Sequence, residues 1–280
     1  MPEGDTVHKL ASTLREELVG RKLSSCLIRG VYGSERLAGA RIDLIEARGK
    51  HMLVHFDRDL VLRVHLGMKG SWHRYKRGSR WKRSKSTASV VLETEEKSYV
   101  LFQAMDIELI PAPQLGWHRG LQLLGQDLLA EEEPDWGKIL EAAHRFRSAE
   151  DLLGEVLLDQ RVAAGIGNVY KSELAFMGAF EAGPFHLAQR GVDPWRPLGN
   201  VDESLLIGLF KRARPLLQAN LGGWPRTTRV DRRIQKAPPD GNLFVYGREG
   251  EKCFRCGEKI EVGTQGLQNR VTYWCPGCQP

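Results

Sequence analysis

Cys253–Cys278 reads CFRCGEKIEVGTQGLQNRVTYWCPGC and holds two Cys-x2-Cys pairs separated by eighteen residues. Four cysteines at this spacing are typical of a zinc ribbon, in which each pair directs two thiolates to one tetrahedral ion. Disulfide bonds are the alternative, which a cytosolic location disfavours. We therefore predict one structural Zn2+ ion with no open position for catalysis, held by Cys253, Cys256, Cys275 and Cys278.

The composition is that of a basic chain long enough for two domains. Its 280 residues are 41% hydrophobic and carry a net charge of +6, with an isoelectric point near 9.1. This excess favours an anionic partner, most often nucleic acid, although an ordinary basic protein is the alternative. The sequence has neither an apolar run of about twenty residues nor an apolar N-terminal segment, which predicts no membrane span and no secretory signal. We expect a cytosolic protein in which Cys26 is a small buried apolar residue.

Residues 1–112 are predicted to form an antiparallel β-sandwich that begins with a helix. Asp5 is placed to cap a helix from about Thr6 to Val19, whose apolar residues recur every three or four positions before Gly20 ends it. Seven short β-branched segments follow, with turn signals between them. These predicted strands are Lys22–Arg29, Ala40–Ala47, His51–Phe56, Leu60–His65, Ala88–Glu93, Lys97–Gln103 and Ile107–Ile110.

The second half reads as helical, so the whole chain is predicted to be an α+β multidomain protein. We predict a linker over 113–136, a helical domain over 137–245 and the zinc ribbon over 246–280. Within 226–242 a basic stretch is predicted to be a mobile loop. The predicted helices are Lys138–Ala143, Ala149–Val162 capped by Ser148, one that begins near Val169, and Asp202–Leu221, kinked or split at Pro215.

The first three residues, Met1-Pro2-Glu3, offer a nucleophile once Met1 is removed. The secondary amine of Pro2 would then have a pKa near 7.7–8.0 and be partly neutral at pH 7. Such an amine can attack a carbonyl-like carbon and form an iminium ion. Glu3 lies beside it as an acid or base. Proline at position 2 is usually without function, so the rest of the chain must decide.

Three further features indicate nucleic acid, each with a plain structural alternative. The segment from Lys69 to Lys85 contains eight Lys and Arg, no acidic residue and three interleaved aromatic residues, which suits phosphate contact and stacking or a solvated disordered loop. Gly165–Asn168 precedes a helix. Its glycines can allow backbone N–H groups to approach a phosphate, or they can simply end the preceding helix. Arg270, inside the ribbon, can bind phosphate in a bidentate manner or lie exposed.

Joined in one chain, these motifs resemble the formamidopyrimidine-DNA glycosylase/endonuclease VIII family of bifunctional repair enzymes. The resemblance covers nearly the whole chain, and the occurrence of these motifs together in this order is specific for the family. It is carried by PEG after Met1, RGK at Arg48–Lys50, HLGMKG at His65–Gly70, LLDQRVAAGIGNVYKSE at Leu157–Glu173, and CFRCG with NRVTYWCPGCQ in the ribbon.

The resemblance implies a role for each matching residue. Pro2 matches the nucleophile that attacks C1′ of the damaged nucleotide, and Glu3 matches the acid/base of the sugar chemistry. Lys50 matches a lysine that contacts phosphate and assists that chemistry. Met68 matches the wedge that fills the space of the displaced base. Asn168, in a helix–two-turns–helix motif, and Arg270 match the residues on the DNA phosphates.

The implied reaction is base excision through a Schiff base, followed by β- and δ-elimination. The purine-directed branch of the family has an arginine–phenylalanine pair where this chain has Gln103-Ala104-Met105-Asp106. That difference, like YWCPGCQ, predicts a leaning toward oxidised pyrimidines. Met68 leans the other way, so the same chemistry on oxidised purines is the alternative. A damaged-DNA binder without catalysis is a further alternative, which the presence of both Pro2 and Glu3 disfavours.

The resemblance also implies the setting of the protein. Its partner would be double-stranded damaged DNA, with no membrane contact. It would act as a monomer in the bacterial cytoplasm, in association with the nucleoid.

Overall fold

The computed structural model describes residues 2–179, 185–222, 225–230 and 241–280. The chain divides into two compact units, residues 1–123 and 124–280. This division falls inside the segment 113–136 predicted to join two domains, while the other domain boundaries stay predictions. The predicted α+β class, with a sandwich first and helices and a ribbon after it, is confirmed.

The N-terminal unit is built on two four-stranded antiparallel sheets. The strands are β1 (Ser25–Ile28), β2 (Ile42–Arg48), β3 (His51–Phe56), β4 (Leu60–His65), β5 (Ser71–Lys76), β6 (Ala88–Glu93), β7 (Lys97–Phe102) and β8 (Asp106–Pro111). One sheet has the strand order β2-β3-β4-β8 and the other has β1-β6-β7-β5. The unit begins with the helix α1 (Gly4–Leu18) and ends with the short helix α2 (Arg119–Gln122).

The seven predicted strands are present within a few residues at their ends, but β5 was not predicted. Its sequence, SWHRYK, lies in the basic segment, and no residue of the strand is fully buried. The strand forms because its backbone pairs with β7 from Ser71↔Phe102 to Lys76↔Lys97. It lies at the edge of its sheet, where charged side chains are tolerated.

Helix α1 covers β2 and β3 and joins the core of the sandwich. Its buried face is Val7, Ala11, Leu14 and Leu18, the spacing expected for one side of a helix. The predicted start was wrong, since Glu3 and not Asp5 is the N-cap residue and the Glu3 carbonyl accepts the Val7 N–H at 3.0 Å. Pro2 and Glu3 therefore stand directly at the helix N-terminus.

The C-terminal unit contains four helices among its described residues, with short strand pairs between and after them. Strands β9 and β10 pair in parallel, and β11 and β12 form the antiparallel hairpin of the ribbon. These elements are β9 (Gln126–Asp127), α3 (Trp136–Phe146), α4 (Leu153–Leu158), β10 (Ala163–Ala164), α5 (Asn168–Met177), α6 (Glu203–Ala219), β11 (Glu261–Gln265) and β12 (Arg270–Trp274).

Two predictions about the helix over Ala149–Val162 were wrong, its extent and its cap. The helix predicted over Ala149–Val162 is restricted to α4, because Leu153 and Gly154 donate their N–H groups to the carbonyls of Arg196 and Pro194 at 2.9 and 3.0 Å. The N–H of Ser148 donates to Asp151 at 2.7 Å in a turn, so Ser148 is no helix cap. Helix α6 continues through Pro215, so the predicted split is absent, and a kink at Pro215 stays a prediction. Of the predicted 226–242 loop, residues 231–240 lie outside the described residues.

Candidate active-site and DNA-binding residues

The N-terminus is held in place by the fold of the first unit. Glu3 is fully buried and Pro2 is half-buried. The helix dipole places positive potential at the start of α1, which favours carboxylates there. Asp5, 3% exposed, accepts hydrogen bonds from the N–H and hydroxyl of Thr6 at 2.7 and 3.2 Å. A buried, ordered carboxylate beside a proline nitrogen is thus a feature of the fold and not of a frayed terminus.

Lys50 lies in the two-residue turn between β2 and β3, which Arg48 and His51 close as register partners. Gly49 has φ 56°, whereas φ of Lys50 is negative. Positive φ at the first turn residue alone is the pattern of a type II′ hairpin, which explains the glycine in Arg48-Gly49-Lys50. The turn is tight, and Lys50 is half-buried on it.

Two exposed methionines lie on neighbouring loops of the same unit. Met68, on the β4–β5 loop, is 68% exposed, and Met105, on the β7–β8 loop, is 72% exposed. The loops touch, since a Cβ added to Gly67 would lie 2.5 Å from the Met105 Cβ. Large exposed apolar side chains are costly in water, so this pair marks a surface suited to a ligand. Sequence reasoning singled out Met68 and treated Met105 only as the place of a missing arginine.

A polar cluster that the sequence did not predict lies on the sheet of β2, β3, β4 and β8, at the end next to the two methionine loops. His51, His65 and Asp106 are register partners across β3, β4 and β8, and Arg63 lies two residues before His65 on the same face. Arg63, 3% exposed, forms ion pairs with Asp106 and, at 2.9 Å, with Glu108. Its guanidinium also donates to His51 Nδ1 at 3.1 Å.

Arg63 selects the tautomer of His51, and burial keeps its ring neutral. Since arginine has no acceptor, Nδ1 of His51 must be unprotonated and the ring proton must sit on Nε2. Burial, followed by the nearby His65 and Arg63, lowers the pKa of His51 to about 3. His51 is therefore a neutral side chain at pH 7, next in sequence to Lys50.

In the C-terminal unit, Asn168 begins α5 and is 7% exposed. Its carboxamide oxygen has no hydrogen-bond partner among the described residues. A buried acceptor left unsatisfied costs about 1–3 kcal/mol, and a ligand that donates a hydrogen bond to this oxygen would recover that energy. The Nδ2 group of the same side chain is the donor that a phosphate oxygen would accept from.

Helix α5 is hydrogen-bonded to strand β12, which begins with Arg270. The fully buried Lys171 donates to the Val271 carbonyl at 2.9 Å and to the Thr272 hydroxyl at 2.5 Å. The Ser172 hydroxyl accepts the Tyr273 N–H at 3.2 Å. Arg270 is the first residue of β12, and its guanidinium donates twice to the Gln268 side chain, at 2.9 and 2.6 Å. Asn168 and Arg270 are therefore placed by one hydrogen-bonded pair of elements.

Glu173, on the same helix, holds a second segment of this unit. It is fully buried and accepts the N–H groups of Phe244, Val245 and Tyr246 at 2.8, 2.9 and 2.8 Å, with a further bond from the Thr228 hydroxyl. Burial raises the pKa of Glu173, while these donors act in the opposite direction. Sequence reasoning used the NVYKSE motif only as a mark of resemblance and assigned no task to Lys171 or Glu173.

The four ribbon cysteines form a cluster that could hold a metal ion. Their sulfur atoms lie within 4.8 Å of one another, with Cys253 and Cys278 at 3.9 Å and Cys256 and Cys275 at 3.3 Å. None is in a disulfide, whose S–S bond is about 2.05 Å. Tetrahedral ligation at about 2.3 Å separates sulfurs by about 3.8 Å, which this cluster fits. Cys26 is buried, as predicted, and burial raises its pKa to about 12.

The predicted residues are thus divided between the units. Pro2, Glu3, Lys50 and Met68 belong to the first unit, and Asn168, Arg270 and the four cysteines belong to the second. Their catalytic and binding roles stay predictions. None of the described helices has the length and hydropathy needed to cross a lipid bilayer.

Known proteins resemble this chain over its whole length. The family model for the formamidopyrimidine-DNA glycosylase N-terminal domain matches residues 1–105. "Probable endonuclease 8 2" of Streptomyces coelicolor is 36% identical, covering 100% of this chain and 94% of the relative. "DNA-(apurinic or apyrimidinic site) lyase Nei2" of Mycolicibacterium smegmatis is 36% identical, covering 100% and 99%. "Endonuclease 8" of Escherichia coli is 32% identical over the full length of both chains.

Solved structures show the same fold. The Lactococcus lactis Fpg bound to DNA with an abasic site matches with a TM-score of 0.78 and 22% identity, covering 99% of each chain. The same enzyme bound to DNA with an oxidised pyrimidine matches with a TM-score of 0.78 and 23% identity.

Proposed function

We propose that this chain, which belongs to the formamidopyrimidine-DNA glycosylase/endonuclease 8 family, is a bifunctional DNA glycosylase and abasic-site lyase of base excision repair. The observation that carries the proposal is the alignment of all of this chain with 99% of a relative named as an abasic-site lyase, at 36% identity. The buried Glu3 beside Pro2 at the start of α1 supplies matching chemistry.

Pro2 is the nucleophile in this proposal, in the chain from which Met1 has been removed. Its amine forms a bond to C1′ of the damaged nucleotide, and the C1′–N bond breaks so that the base departs with a proton. The sugar ring opens to give an iminium ion between Pro2 and C1′, with the former ring oxygen protonated. The cationic nitrogen then withdraws electrons from C1′ and acidifies the protons on C2′.

Glu3 moves the protons of this sequence. It protonates the ring oxygen as the sugar opens, and the resulting carboxylate removes a C2′ proton so that the 3′ phosphate leaves in β-elimination. A second elimination removes the C4′ proton and releases the 5′ phosphate, and water then hydrolyses the iminium, which frees the sugar fragment and regenerates the amine. Lys50, on its rigid turn, contacts a phosphate and assists the sugar chemistry. None of these steps requires a metal ion at the reacting carbon.

The DNA partner is a damaged duplex whose target nucleotide is turned out of the stack, at a cost of a few kcal/mol. Met68 supports this step as a flexible apolar wedge, since its exposed side chain can fill the vacated space. Asn168 and Arg270 bind backbone phosphates. The hydrogen bonds of Lys171, which join the helix of Asn168 to the strand of Arg270, support that assignment. A monomer suffices for these contacts.

One Zn2+ ion held by Cys253, Cys256, Cys275 and Cys278 fits the sulfur cluster. Four thiolates leave no open coordination position, so the ion stabilises the ribbon and takes no part in the reaction. Ordering of the hairpin around the ion fixes the strand that carries Arg270.

Oxidised pyrimidines are the preferred substrates in this proposal. The β7–β8 loop reads Gln103-Ala104-Met105-Asp106, without the arginine typical of the purine-directed branch. Relatives at 36% and 32% identity carry the name endonuclease 8, the branch that this loop resembles. Since those relatives are bacterial proteins, we place the enzyme in the bacterial cytoplasm with the nucleoid.

A lesion panel tests this function. Duplexes of one sequence carry 5,6-dihydrouracil, 8-oxoguanine opposite cytosine, a preformed abasic site, or no damage. We expect cleavage of the dihydrouracil and abasic duplexes to products with phosphate at both ends of a one-nucleotide gap. Faster release of 8-oxoguanine would overturn the pyrimidine preference, and an intact abasic duplex would overturn the lyase activity.

A further inference from the structure

The basic β5–β6 loop is a surface that the proposed reaction leaves unused. Residues 77–87 connect these strands, and four of their cations, Arg80, Lys82, Arg83 and Lys85, are exposed. We call these four residues the basic loop cluster. Among the described residues, no carboxylate lies within ion-pair distance of any of them. By contrast, Arg74 on the adjoining strand is paired with Glu17.

The loop is held against the sheet by aromatic residues. Trp81 stacks on Tyr75 with ring centres 6.2 Å apart and meets Phe102 edge-on at 5.8 Å. The Lys82 N–H donates to the Tyr75 hydroxyl at 3.2 Å, and the Lys85 ammonium lies 5.7 Å above the Trp81 ring. The aromatic side chains of this segment therefore anchor the loop and are not free platforms for DNA bases. For the segment from Lys69 to Lys85, these contacts disfavour both stacking on DNA bases and a disordered loop.

The cluster is continuous with the loops that carry the exposed methionines. Arg83 donates to Gln103 Oε1 at 3.3 Å, and its guanidinium lies 6.0 Å from the centre of the Phe102 ring. Gln103, with φ 50°, turns the chain from β7 toward Met105. Met105 in turn touches Gly67, the neighbour of Met68. The cations thus adjoin the surface at which the proposed wedge residue meets DNA.

We propose that the basic loop cluster contacts the phosphates of the duplex that flanks the lesion, as a DNA-backbone surface additional to Lys50, Asn168 and Arg270. This inference rests on the proposed function, because damaged DNA brings a phosphate backbone to the Met68 loop. The ordered aromatic anchor reduces the entropy lost when the cations are immobilised on DNA. Contacts of this kind are independent of base sequence and weaken with salt, since each neutralised phosphate releases counterions.

The test compares two triple variants of equal charge change. The cluster variant is Arg80→Gln/Lys82→Gln/Arg83→Gln, which leaves Lys85 on Trp81. The control variant is Arg21→Gln/Lys22→Gln/Arg36→Gln, three exposed cations of the same unit. Binding to a duplex with an uncleavable tetrahydrofuran abasic analogue is measured as a function of salt.

We expect the slope of log K against log salt to become less steep by about 2–3 in the cluster variant, at about 0.9 for each phosphate that is no longer neutralised. The slope of the control variant should remain that of the wild type. Single-turnover cleavage of an abasic duplex at saturating protein should be equal in the control variant and the wild type, because the control changes no residue of the proposed chemistry or of the proposed DNA surface. Equal slopes in the two variants would overturn the inference and leave the cations as protection of the β5 edge.

The outcome separates this inference from the proposed function. Binding to the tetrahydrofuran duplex needs no catalysis. If the wild type cleaves nothing but the cluster variant has a less steep slope of log K against log salt, the proposed function is refuted and the DNA surface is retained. Normal cleavage with an unchanged slope would refute the surface alone.

Discussion

Glu3 carries the proton transfers of the proposed reaction, and its burial makes substitution informative. Glu3→Gln keeps the size and removes the charge, so we expect excision of dihydrouracil to fall by about 10²-fold or more, the usual contribution of a positioned acid or base. Glu16→Gln, at an exposed carboxylate of the same helix, is the matched control. Single-turnover excision measures the effect. A Glu3→Gln protein as active as the control would remove Glu3 from the mechanism.

His51 gives a pH dependence whose sign follows from its pKa. This pKa is about 3 in the folded protein and 6.5 in the unfolded chain, so only the unfolded chain binds the proton between these values. Stability from the neutral His51 is therefore full above pH 6.5 and declines as pH falls toward 3, by up to about 1.4 kcal/mol per pH unit.

His51→Gln removes this titration. We expect the free energy of unfolding, measured by denaturant at about pH 6 and about pH 5, to fall less with acid in His51→Gln than in the wild type. His144→Gln, at an exposed histidine paired with Glu203, controls for loss of any imidazole. An identical pH dependence in His51→Gln and the wild type would contradict the neutral state of His51.

Among single residues, the sequence predicts those that belong to a recognisable local motif. It misses residues whose partners are brought together only by the pairing of distant strands. The four cysteines could be picked out from their spacing alone, whereas the Pro2-Glu3 pair gained its meaning only from the other motifs of the chain. The ion pairs of Arg63 join β4 to β8, more than forty residues apart in sequence, and nothing in the local pattern of LRVH reveals them.

At the scale of elements, α5 and β12 behave as one structure through Lys171. Lys171→Met removes both hydrogen bonds to β12 while it retains a long side chain, so the Thr272 hydroxyl loses its buried donor. We expect a loss of roughly 1–3 kcal/mol in unfolding free energy and weaker binding to the tetrahydrofuran duplex, because Arg270 follows the strand. Lys211→Met, at an exposed lysine of α6, should change neither. Unaltered DNA binding in Lys171→Met would separate Arg270 from this support.

The elements that the sequence predicted well are those with a clear apolar period. Helix α1 has a helical apolar period, and strands β3 and β4 are short, largely apolar runs that the packing buries almost throughout. Strand β5 was missed because its charges hide the period, and pairing with β7 decides its state. The Ala149–Val162 helix was overextended because its apolar spacing fits a helix, whereas its backbone N–H groups bond to residues 194–196 instead.

At the scale of the whole molecule, the ribbon is expected to lose its order separately from the sandwich. Removal of Zn2+ by a chelator leaves four thiols at close range with nothing to hold them. We expect loss of binding to the tetrahydrofuran duplex, while amide hydrogen exchange in the central strands β3 and β4 of the sandwich is unchanged. Readdition of Zn2+ should restore binding. Full affinity in a metal-free protein would contradict the role of the ribbon in presenting Arg270.

The most direct test of the central claim is borohydride trapping on abasic-site DNA. The chain with Met1 removed should give a covalent protein–DNA product, because reduction of the iminium fixes Pro2 to C1′. A chain that retains Met1 has its Pro2 nitrogen in a peptide bond, so it should bind the same DNA and give no product. The Pro2→Gly variant should give much less product than the processed wild type. Trapping that is equal with and without Met1, or absent from the fully processed chain, would contradict the assignment of Pro2 as the nucleophile.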